Sequence, residues 1–301
     1  MGRDLLYAHL DHDGSIRQVV ADINEQHDLQ LELGRRCQGG LQGGAWELVD
    51  PDGRLRILKW SAQASKFHSA QNAQSVLRLR AVGYPTPEWL AVGTTLAGAS
   101  YQVQEFVAGQ PAELSADIAA LLVDVIELQA GLAPDTEQDW STYVTAEAFD
   151  DGPERNRTFL CGLGPAECDL VRHYDRVLER HPGVRLPDDD LVHGDLNSCN
   201  VLMQDGKITG LIDIEALGRG TRVIDYAWLV REVFGTGRDP SIADILRRPA
   251  EKVAGPGALA VCVTATVFDI LRFIHGHSPD HVPRLITRMH ELADYLETPQ
   301  R

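Results

Sequence analysis

Apolar and polar positions alternate over Trp46–Val49 and again over 55–60, with Asp50-Pro51-Asp52-Gly53 between them. That pattern predicts two strands joined as a hairpin. Residues 29–34, Trp89–Thr94 and 101–106 read as further strands. A helix is predicted over 64–82, ended by Gly83 and the Pro85/Pro87 pair. The first third is therefore expected to be a twisted antiparallel sheet with one helix. After a hinge at Val107-Ala108-Gly109 the period changes. Spacings of three and four predict helices over 116–130, 166–181, 224–234, 258–275 and 282–296. Residues 191–215 interrupt them, with apolar runs Leu191-Val192, Val201-Leu202-Met203 and 208–212 around polar turns. The chain is expected to be α+β and bilobal. Residues 1–106 form a small antiparallel-sheet lobe, and 107–301 form a mostly helical lobe.

The interrupting segment carries the chemistry. It reads His193-Gly194-Asp195-Leu196-Asn197-Ser198-Cys199-Asn200, then Ile212-Asp213-Ile214-Glu215. Phosphoryl transfer from a nucleoside triphosphate needs a positioned acceptor hydroxyl and cations that neutralise phosphate charge. At this spacing Asp195 would orient or accept the acceptor's proton. Asn200 and Asp213 would supply a neutral and an anionic oxygen to Mg²⁺. Polar loops between strands also favour Asp and Asn for turn chemistry. Three chelating positions in register between apolar runs exceed what loop composition explains.

The pattern His-Gly-Asp-x4-Asn followed by Ile-Asp-x-Glu resembles the aminoglycoside phosphotransferase family of small-molecule kinases. The resemblance implies a protein-kinase-like fold, with 1–106 as the nucleotide-binding lobe. It implies that Lys59, in Arg56-Ile57-Leu58-Lys59, binds the α- and β-phosphates. Gly39, Gly40, Gly43 and Gly44 lie just before and would let backbone approach the triphosphate. Arg56, three positions from Lys59, would face the other side of the strand. The nucleotide base would meet the hinge through the Glu105 carbonyl and the Val107 N–H. These are backbone contacts, which do not distinguish ATP from GTP. The family pattern also places a Glu on the helix after Lys59 to hold it. Between Trp60 and Thr86 there is no acidic residue. Either Gln71 or Gln74 would take that place, or the acid comes from elsewhere. Asp225 matches the family's aspartate that steadies the catalytic loop.

The formal charge is −16, from 44 acidic and 28 basic residues. This argues against a nucleic-acid partner and suits a cationic small molecule. Five cysteines, none in a Cys-x2-Cys pair, point to a reduced, cytoplasmic setting. Met1 to Leu10 has no apolar core of a signal peptide. The longest apolar run, 258–267, is too short for a bilayer, so no membrane partner is expected. His193 reads as a brace for the loop, and Asn197 as a contact to phosphate or acceptor. Glu215 reads as a metal or acceptor ligand or a surface carboxylate. His275, His277 and His281 read as a helix-end loop rather than a zinc site. Asp150-Asp151 and Asp188-Asp189-Asp190 read as solvated loops, the latter at a cleft mouth. Glu232 and Asp269 are the candidate acids for an acceptor amine. The sequence thus points to an ATP- and Mg²⁺-dependent kinase for a small cationic acceptor, an aminoglycoside first. Basic cyclic peptides of the capreomycin and viomycin type, macrolides, choline, homoserine or a sugar are the alternatives. A degenerate kinase acting as a nucleotide-binding module is the alternative of another class.

Overall fold

Two units divide the chain in a computed structural model that describes residues 12–37, 45–61 and 70–298. One unit comprises Met1–Gln110 with Leu202–Glu215, the other Pro111–Val201 with Ala216–Arg301. A single cut at 106/107 does not anticipate the return of Leu202–Glu215 to the first unit. The reason is tertiary. Strands β8 (Val201–Gln204) and β9 (Lys207–Leu211) pair as a hairpin. From that hairpin the Thr209 hydroxyl donates to the Ala108 carbonyl at 2.6 Å, and the Leu211 N–H donates to the Pro85 carbonyl at 2.5 Å.

The first unit is built on an antiparallel sheet ordered β1-β2-β3-β5-β4. Its strands are β1 (Glu32–Arg36), β2 (Trp46–Val49), β3 (Leu55–Ser61), β4 (Trp89–Thr94) and β5 (Ser100–Glu105). The helix α1 (His12–His27) covers one face of it. Ile16, Val19, Val20 and Ile23 form a stripe at spacings of three and four. They pack on Leu48, Leu58, Tyr101 and Val103. This helix was not among the elements expected. It also explains why β1 starts later than residue 29. The Asn24 side chain exchanges hydrogen bonds at 2.9 Å with the N–H and C=O of Leu31, and Asp28 sits at φ 52. Residues 28–31 are thus spent closing the end of α1. The second helix, α2 (Ala70–Ala81), is followed by Gly83 at φ 90. The expected start of that helix at 64 lies outside the described residues.

β3 sets up the site by alternation. Leu58 points into the core under α1, and Lys59 points the other way. Arg56 shares the Leu58 side and pairs with Asp50 at 2.7 Å, as the strand period requires.

In the second unit, β6 (Gln110–Pro111) leads into α3 (Ala116–Glu127), α4 (Trp140–Phe149), α5 (Asn156–Leu163) and α6 (Pro165–Glu179). The short pair β7 (Asp190–Val192) and β10 (Gly218–Gly220) is antiparallel, and β7 leads into the segment that begins at His193. Then come α7 (Val223–Thr236), α8 (Ser241–His277) and α9 (Val282–Glu297). Helices α4 and α5 were not expected. α8 is interrupted at Gly255, whose φ of 82 and ψ of 167 are not helical, so it is two helices in line across a kink. The expected helix 258–275 is the second of them, and the first, from Ser241, was not expected. By length and composition α8 could cross a membrane, which the short apolar run did not suggest. However, 72% of its most apolar window is buried inside the protein, as in a core helix.

Candidate functional site

In the first unit the site centres on Lys59. Its ammonium contacts the carboxylates of Asp213 and, at 2.5 Å, Glu215 Oε1. Burial pulls the Lys59 pKa down, but the two carboxylates outweigh it and hold the ammonium above its usual value. Glu215 therefore does what was assigned to Gln71 or Gln74. Both glutamines are exposed on α2. The buried residue of that turn is Asn72, whose amide donates to the Glu215 backbone carbonyl at 3.4 Å. The acid does come from elsewhere, from 156 positions further along the chain. Asp213 sits at φ 62, a left-handed conformation that Asp tolerates better than most residues. Its side chain is 46% exposed, so one carboxylate both touches Lys59 and stays open to a cation.

At the hinge, Glu105, Phe106, Val107 and Ala108 line a cavity of about 390 Å³ together with Arg80 and Thr209. The Glu105 carboxylate is occupied by Arg80 at 3.3 Å and the Glu88 N–H at 3.4 Å. Its N–H is taken as well, by the Glu88 carbonyl at 2.9 Å. Gly39, Gly40, Gly43 and Gly44 lie outside the described residues.

In the second unit the site is the loop from His193 to Asn200. Asp195 is held from both sides. Asn197 Nδ2 donates to its Oδ1 at 3.1 Å, and Asn200 Nδ2 to its Oδ2 at 3.2 Å and its carbonyl at 2.8 Å. With the Asn200 amide hydrogens turned to Asp195, the amide oxygen is its atom for a cation. Asn197, expected at phosphate or acceptor, orients Asp195. It also caps the 3-10 turn Ser198–Asn200, accepting the Cys199 N–H at 3.1 Å. His193 is fully buried, and its Nδ1 lies 3.3 Å from the Asp195 N–H, a bracing role.

Beneath the loop lies Asp225, buried at the start of α7. Its carboxylate accepts the N–H groups of His193 (2.8 Å) and Gly194 (3.1 Å) and the Gln129 amide (2.9 Å). Burial pushes its pKa up, and these donors pull against that rise. Gly194 has φ 84, and an added Cβ there would lie 2.5 Å from the Trp140 ring. The Gly of His-Gly-Asp is thus fixed by both dihedral and space.

The acids proposed for an acceptor amine are committed elsewhere. Glu232 accepts the Ser198 N–H at 2.8 Å and also binds the Ser198 hydroxyl. Asp269 accepts Tyr143 Oη at 2.7 Å and Asn156 Nδ2 at 2.5 Å, and burial raises its pKa to about 6. Asp190 is likewise no solvated loop residue. It is buried, accepting the Gly131 N–H at 2.9 Å and the Arg222 guanidinium at 2.8 Å. Arg231 escaped sequence reasoning. It is buried with its guanidinium 4.5 Å from the Trp228 ring centroid. Burial lowers its pKa to about 10, against the charges of Glu232, Asp195 and Asp269, so it stays cationic at neutral pH.

Among the described residues no three or more His, Cys, Asp or Glu side chains gather as a metal cage. Asn200 and Asp213 each offer an oxygen of the kind Mg²⁺ takes, and Mg²⁺ needs only one or two protein ligands.

The phosphotransferase enzyme family model matches residues 35–262. An aminoglycoside 3'-phosphotransferase from Enterococcus faecalis is 41% identical over 49 residues, 16% of this chain and 19% of that relative. The matched stretch thus spans about a fifth of the relative's length. Among solved structures, a thermostable mutant of aminoglycoside phosphotransferase APH(4)-Ia with AMP-PNP and hygromycin B superimposes with a TM-score of 0.67 at 18% identity. That alignment covers 95% of this chain and 100% of the other. The amicoumacin kinase hAmiN, with AMP-PNP and Ca²⁺, gives 0.66 at 14% identity, covering 98% and 96%. Macrolide 2'-phosphotransferase MphH from Brachybacterium faecium gives 0.52 at 16%, covering 94% and 98%. At these identities the likeness speaks for the protein-kinase-like fold.

Proposed function

The chain belongs to the phosphotransferase enzyme family, and from that premise we propose that it is a cytoplasmic kinase that phosphorylates a hydroxyl of a small cationic molecule, an aminoglycoside-type antibiotic first. The observation that carries the reading is the held carboxylate of Asp195, fixed by Asn197 and Asn200 on a loop pinned by Asp225. Asp195 orients the acceptor hydroxyl and takes its proton. Lys59 would bind the α- and β-phosphates of ATP. Asn200 and Asp213 would hold Mg²⁺, which would neutralise charge on the phosphates.

Structural neighbours that hold AMP-PNP support the use of ATP. The formal charge of −16 supports a cationic acceptor. Five free thiols suit a reducing compartment. The absent acid on α2 was the argument for a degenerate, nucleotide-binding module, and Glu215 removes it.

The test is incubation with Mg²⁺-ATP and a panel of aminoglycosides, capreomycin, viomycin, macrolides and small metabolites, read by mass spectrometry. A gain of one phosphate on an aminoglycoside supports the reading in full. A gain only on a macrolide or a metabolite keeps the kinase and replaces the acceptor. Asp195→Asn is the control. It should lower turnover by roughly 10²-fold or more while leaving AMP-PNP binding intact, and equal turnover in that variant removes Asp195 from its role.

A further inference from the structure

Helix α7 holds the catalytic loop at two points. At its first turn Asp225 accepts the N–H groups of His193 and Gly194. Two turns later Glu232 accepts the N–H and the hydroxyl of Ser198. The seven-residue step from one to the other is about 10 Å of helix, so α7 lies along the loop and grips both ends.

The second grip is the informative one. Ser198 opens the 3-10 turn Ser198–Asn200, whose first N–H groups need partners. Asn197 Oδ1 serves Cys199 and the Asn197 carbonyl serves Asn200. Glu232 serves Ser198. On either side of Ser198 stand Asn197 and Asn200, the two amides that hold the oxygens of Asp195. A shift of Ser198 would move both.

We propose that Glu232 is a positioning residue of the phosphotransfer site, setting the orientation of Asp195 and the cation affinity of Asn200 through Ser198. The role rests on the kinase reading and deepens it. It also removes Glu232 from acceptor recognition. The acids of α7 are Asp225 and Glu232, and both are spent on the loop. Acids that bind an acceptor amine therefore belong to other elements.

The experiment compares the wild type with Glu232→Ala, Glu232→Gln and Ser198→Ala in two measurements. The first is hydrogen exchange of peptides covering 193–200, with thermal denaturation to establish folding. The second is turnover of ATP, with and without acceptor, as a function of Mg²⁺. Glu232→Ala should speed exchange in 193–200. It should lower kcat and raise the Mg²⁺ needed for half-maximal turnover, each by roughly 10- to 100-fold, the range for groups that orient metal ligands. The KM for acceptor should hold. Glu232→Gln keeps one carbonyl acceptor and should fall between Ala and wild type. Ser198→Ala removes only the hydroxyl bond and should give a smaller change of the same kind. If acceptor KM rises while Mg²⁺ dependence and exchange stay fixed, Glu232 binds the acceptor and the proposal is wrong. It is equally wrong if only the melting temperature moves. If the wild type turns over no ATP under any condition, the kinase reading fails, and the exchange data still decide whether Glu232 holds the loop.

Discussion

Glu215 Oε1 lies 2.5 Å from Lys59 Nζ, and the same ammonium touches Asp213. A lysine that is to bind phosphates, as proposed for Lys59, must be held extended before the nucleotide arrives, and the acid that holds Lys59 follows Asp213, the proposed cation ligand, by two residues. Lys59 and the open carboxylate of Asp213 are thereby placed by one short segment. Replacing Glu215 with Gln keeps the shape and removes the charge. The KM for ATP should rise about tenfold, equivalent to roughly 1.4 kcal/mol of lost binding, while the melting temperature changes little. Steady-state kinetics against ATP checks this. An unchanged KM would mean that Asp213 alone positions the lysine.

How far the sequence reached depends on whether a feature is local. The spacing of Asp195, Asn200 and Asp213 is written in 19 consecutive residues, so the loop and the family it points to were legible. The Lys59 partner joins positions 59 and 215, a link that no periodicity carries. Helix α1 was legible and went unread: Ile16, Val19, Val20 and Ile23 carry a plain helical spacing. The part of α8 after the kink was legible over 258–275 because Gly255 and Pro256 do break the helix just before it, whereas the part from Ser241, with Pro249 inside it, was not expected. Glu232 and Asp269 were read as free acids because a sequence does not show which carboxylates are already bonded.

Gly194 gives a second test. Its φ of 84 and the Trp140 ring at 2.5 Å from a built Cβ leave no room for a side chain. Gly194→Ala must either push Trp140, which donates to the Ala216 carbonyl at 2.9 Å, or shift the loop. The variant should lose about 2–4 kcal/mol of stability through overpacking and backbone strain and nearly all turnover. Ala at an open positive-φ glycine such as Gly183 should cost only about 1 kcal/mol. Chemical denaturation of the two variants side by side separates the loop effect from the dihedral effect.

Asp269 makes the pH dependence specific. Burial raises its pKa from 3.8 to about 6, against hydrogen bonds from Tyr143 and Asn156 that favour the ionised form. A carboxyl with a raised folded pKa binds more protons folded than unfolded between pH 4 and 6, so its contribution falls as pH rises through that window. The difference of about two units corresponds to roughly 3 kcal/mol, fully present below pH 4 and gone above about pH 6. Asn at this position presents the same acceptor oxygen to Tyr143 Oη and Asn156 Nδ2 and carries no charge to desolvate. Asp269→Asn should therefore unfold at a higher denaturant concentration than wild type at pH 7.5. The gain should shrink as pH is lowered towards 4, because the wild-type carboxyl is then neutral as well. Denaturation curves of the two proteins at several pH values between 4 and 8 check this. Parallel curves over the whole range would show that Asp269 is already comfortable as an anion, with Arg231 as the counter-charge that makes it so.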